Sequence, residues 1–226
     1  MHRRCFENIL LFSKKSGAVV CGTGHLALVG WLLFGVGLTF MSGCSRPDWS
    51  FGAGGRYNDA NIELLRGRAG NLDKAIENLQ AVVHDDPTYR DSLTLLGKAY
   101  YRKGRYYEAY SIIQRALALN RDDEIAWLIF GLAQIRVGEN AKGLETLRGG
   151  LTLLAKAMKE EYRGYPAWDP RGTVRASLNR SVFQALKGLD EREILVQTTE
   201  QLLARIDEEE WFQRRGKSVD RAVSDG

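Results

Sequence analysis

Gly70, Gly104 and Gly138 stand 34 residues apart, and each is followed five residues later by a small residue, Ala75, Ala109 or Gly143. A fixed period of this length constrains the fold tightly, because it requires one supersecondary unit to stack on copies of itself. The register holds at further positions: Leu79, Ile113 and Leu147 share one column, and Val82, Ala116 and Gly150 share another. In the middle unit Leu93, Leu96, Gly97 and Tyr100 fall at i, i+3, i+4 and i+7, one face of a helix. Ala109, Ile113 and Ala116 trace the facing stripe of the next helix. A glycine at the turn lets the two helices meet antiparallel, and small residues inside the crossing let the backbones approach. Each hairpin leaves one apolar flank bare, which the next hairpin covers. The period therefore predicts an all-α fold, a solenoid of antiparallel helix hairpins.

The middle unit, Leu93-x2-Leu96-Gly97-x2-Tyr100, then Gly104, Tyr106, Ala109-x3-Ile113 and Ala116-Leu117, closely resembles the tetratricopeptide repeat. The third unit follows with Trp127-x2-Phe130-Gly131, Gly138 and Gly143-x3-Leu147, and departs at Gln134, where the pattern has an aromatic residue. The first unit is degenerate: Glu63 replaces the packing glycine, while Gly70, Ala75, Leu79 and Pro87 agree. The resemblance covers residues 57–157, three units. It implies a concave groove, lined by the first helix of each hairpin, that holds a peptide or helix of a protein partner. The non-core face of those helices carries Thr94, Lys98, Tyr101 and Arg102 in the second unit and Leu128, Leu132, Ile135 and Arg136 in the third.

Arg68, Arg102 and Arg136 form a further column, each two residues before its turn glycine. Two readings of it stand side by side. The arginines pair with carboxylates of a partner by bidentate contacts, or they complement the negative ends of their helices, which contributes about 0.3–1 kcal/mol each. The apolar set Leu128, Leu132 and Ile135 likewise reads either as an open hydrophobic groove or as a surface covered by the C-terminal helices, which would leave a groove only over the first two units.

Beyond the third unit the period is lost, and residues 158–212 read as a helical cap. Gly149 and Gly150 inside a helix cost about 1 kcal/mol each relative to alanine, so a large group, Tyr162, Tyr165 or Trp168, is expected against them. The stretch Tyr162 to Pro170 reads as an ordered turn. Val174, Leu178, Val182 and Leu186 predict a helix over 173–187, and Ile194, Leu195, Leu202, Leu203 and Ile206 one over 191–211, with Asp190 as N-cap and Glu193 as its box partner. Residues 213–226 read as a mobile polar tail.

The N-terminus carries a different signal. Arg3, Arg4, Lys14 and Lys15 precede a stretch from Ser16 to Gly43 without a charged residue apart from His25. Its most apolar part, Leu26 to Met41, is 16 residues, the length of a secretory signal's core and short of the roughly 20 that a spanning helix prefers. It ends in Met41-Ser42-Gly43-Cys44, which resembles the lipobox of bacterial lipoproteins. That resemblance implies a signal peptide over 1–43, cleavage before Cys44, a diacylglyceryl group on its sulfur and a flexible tether over 44–56. An uncleaved anchor with its positive flank inside is the other reading; both put the remainder outside the cytoplasm. Ser45 after Cys44 implies passage to the outer membrane of a Gram-negative cell, facing the periplasm.

Removing the leader alters the charge argument. The whole chain is +4, but four of its basic residues and only one acidic residue, Glu7, lie in 1–43. Residues from Cys44 onward carry 28 basic and 27 acidic groups, so no broad basic field is left to attract nucleic acid. His84 is their one histidine and Cys44 their one cysteine, which removes most catalytic and metal constellations. His84-Asp85-Asp86 reads as a turn, Glu160-Glu161 and Glu208-Glu209-Glu210 as solvated helix ends, and Gly52-Ala53-Gly54-Gly55 follows no strand that would make it a phosphate loop. No enzyme activity, cofactor, metal or nucleic-acid partner is expected. The expected function is a lipid-anchored scaffold or adaptor for another cell-envelope protein. The alternative is a permanent structural subunit of a membrane enzyme, secretion or pilus assembly complex.

Overall fold

The computed structural model describes residues 52–160 and 168–224, with side chains described through 215 and not at 160. The leader, the lipobox with Cys44, most of the expected tether and the turn residues Tyr162 and Tyr165 lie outside the described residues. Among the described residues eight α-helices follow one another: α1 (Ala53–Leu65), α2 (Leu72–Asp85), α3 (Ser92–Arg102), α4 (Tyr106–Leu119), α5 (Glu124–Arg136), α6 (Asn140–Glu160), α7 (Thr173–Lys187) and α8 (Arg192–Ser224). No strand occurs among the described residues. Consecutive helices pack as hairpins, and α2 against α3 and α4 against α5 join one hairpin to the next. The fold is an all-α helix-hairpin solenoid.

The glycine columns explain the hairpins. Gly104 and Gly138 adopt φ of 80° and 97°, a left-handed conformation that costs glycine little. The Gly104 N–H donates to the Tyr101 carbonyl at 3.0 Å and the Arg105 N–H to the Tyr100 carbonyl at 2.9 Å. Gly138 to Ile135 (3.1 Å) and Glu139 to Gln134 (2.8 Å) repeat the pattern one unit later. This is a Schellman ending, which satisfies carbonyls that the helix leaves open. Inside the crossings, a Cβ on Gly97 would lie 2.4 Å from the Ile113 side chain, and one on Gly131 would lie 2.7 Å from Leu147 Cγ. Ile113 and Leu147 are fully buried there.

The first unit closes differently. A single 3-10 turn, Gly67–Ala69, follows α1, and Gly67 rather than Gly70 takes the positive φ. Gly70 is extended, and a Cβ on it would lie 1.8 Å from the Glu63 carbonyl oxygen. Glu63, where the other units have glycine, turns its carboxylate to accept the Asn71 N–H at 3.0 Å. That bond outweighs burial, which acts the other way, and holds its pKa below the ordinary glutamate value. The degenerate position is thus a side-chain clasp on the turn.

Several expectations need correction. The helix α1 starts at Ala53, inside the stretch expected to be a tether. Gly54 marks a close approach, since a Cβ on it would meet the Tyr89 hydroxyl at 3.2 Å, and Tyr57 anchors the helix edge-on to Tyr89. The glycine pair of α6 divides: Gly150 packs under Trp127 and Leu128, whereas Gly149 has no neighbour within 4 Å. At the far end α7 spans the expected 173–187, held by Asp169, whose carboxylate accepts the Val174 and Arg175 N–H groups at 3.1 and 3.0 Å. The last helix begins at Arg192, not beside Asp190, because Leu195 donates to the Glu191 carbonyl. It then runs to Ser224, through most of the expected polar tail. The pairs Gln213–Glu209 at 3.0 Å and Arg214–Glu210 at 2.6 Å continue the helical i, i+4 spacing past residue 212.

Candidate functional site

The first helices of the hairpins, α1, α3 and α5, form the wall expected to receive a partner, and α8 packs against α1 and α5 of that wall and bonds to α3 through side chains. Thr94, Lys98, Tyr101, Leu128, Leu132 and Ile135 are all buried. Of the residues expected to bind a partner, Arg68 alone is exposed. The groove is closed over the second unit as well as the third, which differs from the expectation that capping would spare the first two units.

Not all of these side chains face α8. Thr94 donates to Asp123 at 2.6 Å, joining α3 to the cap of α5. A Cβ on Gly143 would meet Ile135 at 2.5 Å, and one on Gly150 would meet Leu128 at 3.2 Å, so both side chains point into the α5–α6 crossing. The expected apolar groove therefore does not exist as a surface; the small residues of α6 draw its members inward. Ile129, which lies one position from Leu128, lines the groove instead. It shares a cavity of about 290 Å³ with Lys98, Tyr101, Arg102, Tyr106, Glu200, Leu203 and Ala204.

Lys98, Tyr101, Arg102 and Arg136 do face α8, and each meets a carboxylate there. Asp207 accepts from both the Lys98 ammonium and the Arg102 guanidinium, and its side chain is 5% exposed. Arg102 also donates to the Leu64 carbonyl of α1 at 2.7 Å, so one guanidinium links three helices. Glu200 accepts the Tyr101 hydroxyl at 2.5 Å and Arg136 at 3.3 Å, and Glu193 accepts Arg136 at 3.4 Å. Burial, reinforced by Glu200, pushes the Tyr101 pKa far up. Desolvation opposes the Arg136 charge, but Tyr101 and Glu200 outweigh it and keep that cation favoured.

Glu193, Glu200 and Asp207 are seven residues apart, two helical turns or about 10 Å, and so lie along one side of α8. Two of the three arginines of the column, Arg102 and Arg136, do pair with carboxylates, and the chain itself supplies them. The signal was present in the sequence as three acids at heptad spacing between the leucines of the last helix. The acidic run 208–210 also needs correction: Glu209 is fully buried and accepts from Arg171 at 3.1 Å, while Glu208 is solvated.

Among the described residues no group of three or more His, Cys, Asp or Glu side chains is placed to hold a metal. His84 is exposed, and Asp86 accepts the Thr88 N–H at 2.8 Å and its hydroxyl at 2.7 Å, forming a turn.

Comparison with a repeat-family model agrees with this hairpin geometry. Residues 68–135 match the family model described as tetratricopeptide repeat. No curated protein sequence matches the chain. Among solved structures, the crystal structure of MamA is similar at 22% sequence identity, covering 75% of this chain and 83% of that one, with a TM-score of 0.45.

Proposed function

We propose that this protein is a non-catalytic scaffold of the bacterial cell envelope, held by a diacylglyceryl group on Cys44 at the outer membrane and facing the periplasm, where it recruits or steadies another envelope protein. The repeat match over 68–135 carries the reading, because stacked hairpins present extended surface and no reactive constellation. The Met41-Ser42-Gly43-Cys44 stretch supports the anchor. No described helix is long and apolar enough to cross a membrane.

The filled groove favours a second reading, a permanent structural subunit of a larger membrane assembly. A helix bonded along the concave wall leaves partner binding to other surfaces, and α7 exposes Phe183 and Leu186. Obligate interfaces are richer in such apolar groups.

Metabolic labelling with a palmitate analogue tests the anchor. Label on the native protein and none on Cys44→Ala is the expected result; label-free native protein contradicts it. Co-purification from gently solubilised envelopes tests the scaffold, and a partner recurring with the native form and lost with Cys44→Ala is expected.

A further inference from the structure

The ladder of charges along α8 breaks at its last step. Moving seven residues at a time, Glu193, Glu200 and Asp207 are followed by Arg214, so the acidic series ends before the first unit. Arg68, the column's first arginine, makes no ion pair with a described residue. Beside it, where the end of α1 and the 3-10 turn meet α8, lies a cleft of about 720 Å³. Arg66, Arg171 and Arg215 line it, together with the apolar surfaces of Leu65, Trp211 and Phe212.

The Arg66 and Arg171 guanidinium groups are oriented without being used up. Arg66 donates once to Glu63 at 3.2 Å, and Arg171 once to the buried Glu209 at 3.1 Å while lying over the Phe212 ring at 5.3 Å. A guanidinium has five N–H donors, so both retain capacity toward the cleft. The lone carboxylate on the wall, Glu208, is paired with Arg205 at 2.6 Å. Phe212 is 54% exposed, an apolar face that a ligand would cover.

We infer that this cleft is a binding site for an acidic peptide segment of a protein partner, with carboxylates on Arg66 and Arg171 and one apolar side chain against Trp211 and Phe212. The chain's own chemistry names the ligand: α8 answers the cations of the second and third units, and Arg171, with carboxylates, but offers none to Arg66 and Arg68 of the first unit. A free phosphate would satisfy the charge and leave the apolar wall wet, whereas a peptide of a few residues covers both. The inference rests on the scaffold reading and gives its partner a point of attachment outside the filled groove.

The test uses the full chain in detergent and isothermal titration with an acetylated, amidated peptide, Gly-Glu-Glu-Leu-Glu-Glu-Gly, beside its all-glutamine analogue. Saturable binding of the acidic peptide is expected, weakened about tenfold or more by Arg66→Glu and by Phe212→Ala and unchanged by Arg121→Glu, which alters a different cleft. No binding at about 1 mM peptide, equal binding of the glutamine analogue, or equal loss in Arg66→Glu and Arg121→Glu overturns the inference. The Phe212→Ala variant, with an exposed ring removed, guards against a folding defect in Arg66→Glu. Envelope co-purification separates the two readings. A partner held equally by native protein and both cleft variants overturns the cleft and leaves the scaffold, and no partner for any form overturns the scaffold.

Discussion

Lys98 and Asp207, 109 residues apart in sequence, meet as a buried ion pair between α3 and α8, and Arg102 shares the same carboxylate. Such a pair adds little net stability relative to apolar residues of the same shape, but losing one member leaves uncompensated charge in a dry site. Its effect is to fix where α8 sits. The flat apolar packing of a helix on a groove tolerates a slip along the axis; a carboxylate between two particular cations does not.

Asp207→Ala should therefore lower unfolding stability by about 3–5 kcal/mol. The double change Lys98→Met with Asp207→Leu should cost clearly less, because the buried ammonium goes with its carboxylate and only the part-exposed Arg102, still bonded to the Leu64 carbonyl, loses a partner. Urea denaturation of the single and double variants reads the difference, and a cost for the double change equal to that of the single contradicts the account.

The two adjacent glycines of α6 should respond in opposite ways. Gly149→Ala adds a methyl where nothing lies within 4 Å and should stabilise by about 0.5–1 kcal/mol. Gly150→Ala places a Cβ 3.0 Å from Trp127 Cβ and 3.2 Å from the Leu128 backbone nitrogen, and should lose that gain or destabilise. Thermal midpoints of the two variants decide the order.

At Gly97 the contact is with a side chain, so its cost should depend on that side chain. Gly97→Ala should destabilise by about 1–3 kcal/mol by pushing against Ile113, and Ile113→Val should recover part of the loss in the double variant. A strictly additive pair would remove the 2.4 Å contact as the cause.

Burial above all, then Asp91 for Tyr57 and Glu200 for Tyr101, raises both tyrosine pKa values above the ordinary 10.0. Because the folded value is the higher one, the stabilisation is complete below pH 10 and is lost as pH rises from there toward the folded values. Stability should fall on the alkaline side, and Tyr101→Phe should flatten part of that decline. Denaturant midpoints measured between about pH 8 and 11 check the sign.

The hairpins were legible because the repeat writes its geometry into small residues: Gly97, Gly131 and Gly143 mark crossings and Gly104 and Gly138 mark turns. The fate of the groove was not. The arginine column suggested carboxylates, but helix periodicity alone cannot say whether they belong to a partner or to the same chain a hundred residues on. Leu128 and Ile135 misled for a related reason: a helix apolar all round, as α5 is, has no face that period alone can assign to solvent. The end of α8 was missed because a polar composition resembles a tail, whereas i, i+4 pairs extend a helix already nucleated by packing.

Native-state hydrogen exchange most directly tests whether α8 is an integral part of the concave wall. Amides of α8 over residues 195–207 should be protected to the same free energy as those of α3 and α5, and Asp207→Ala should lower all three together. Rapid exchange of α8 while α3 and α5 stay protected would mean that the groove is open in solution and that the helix only visits it.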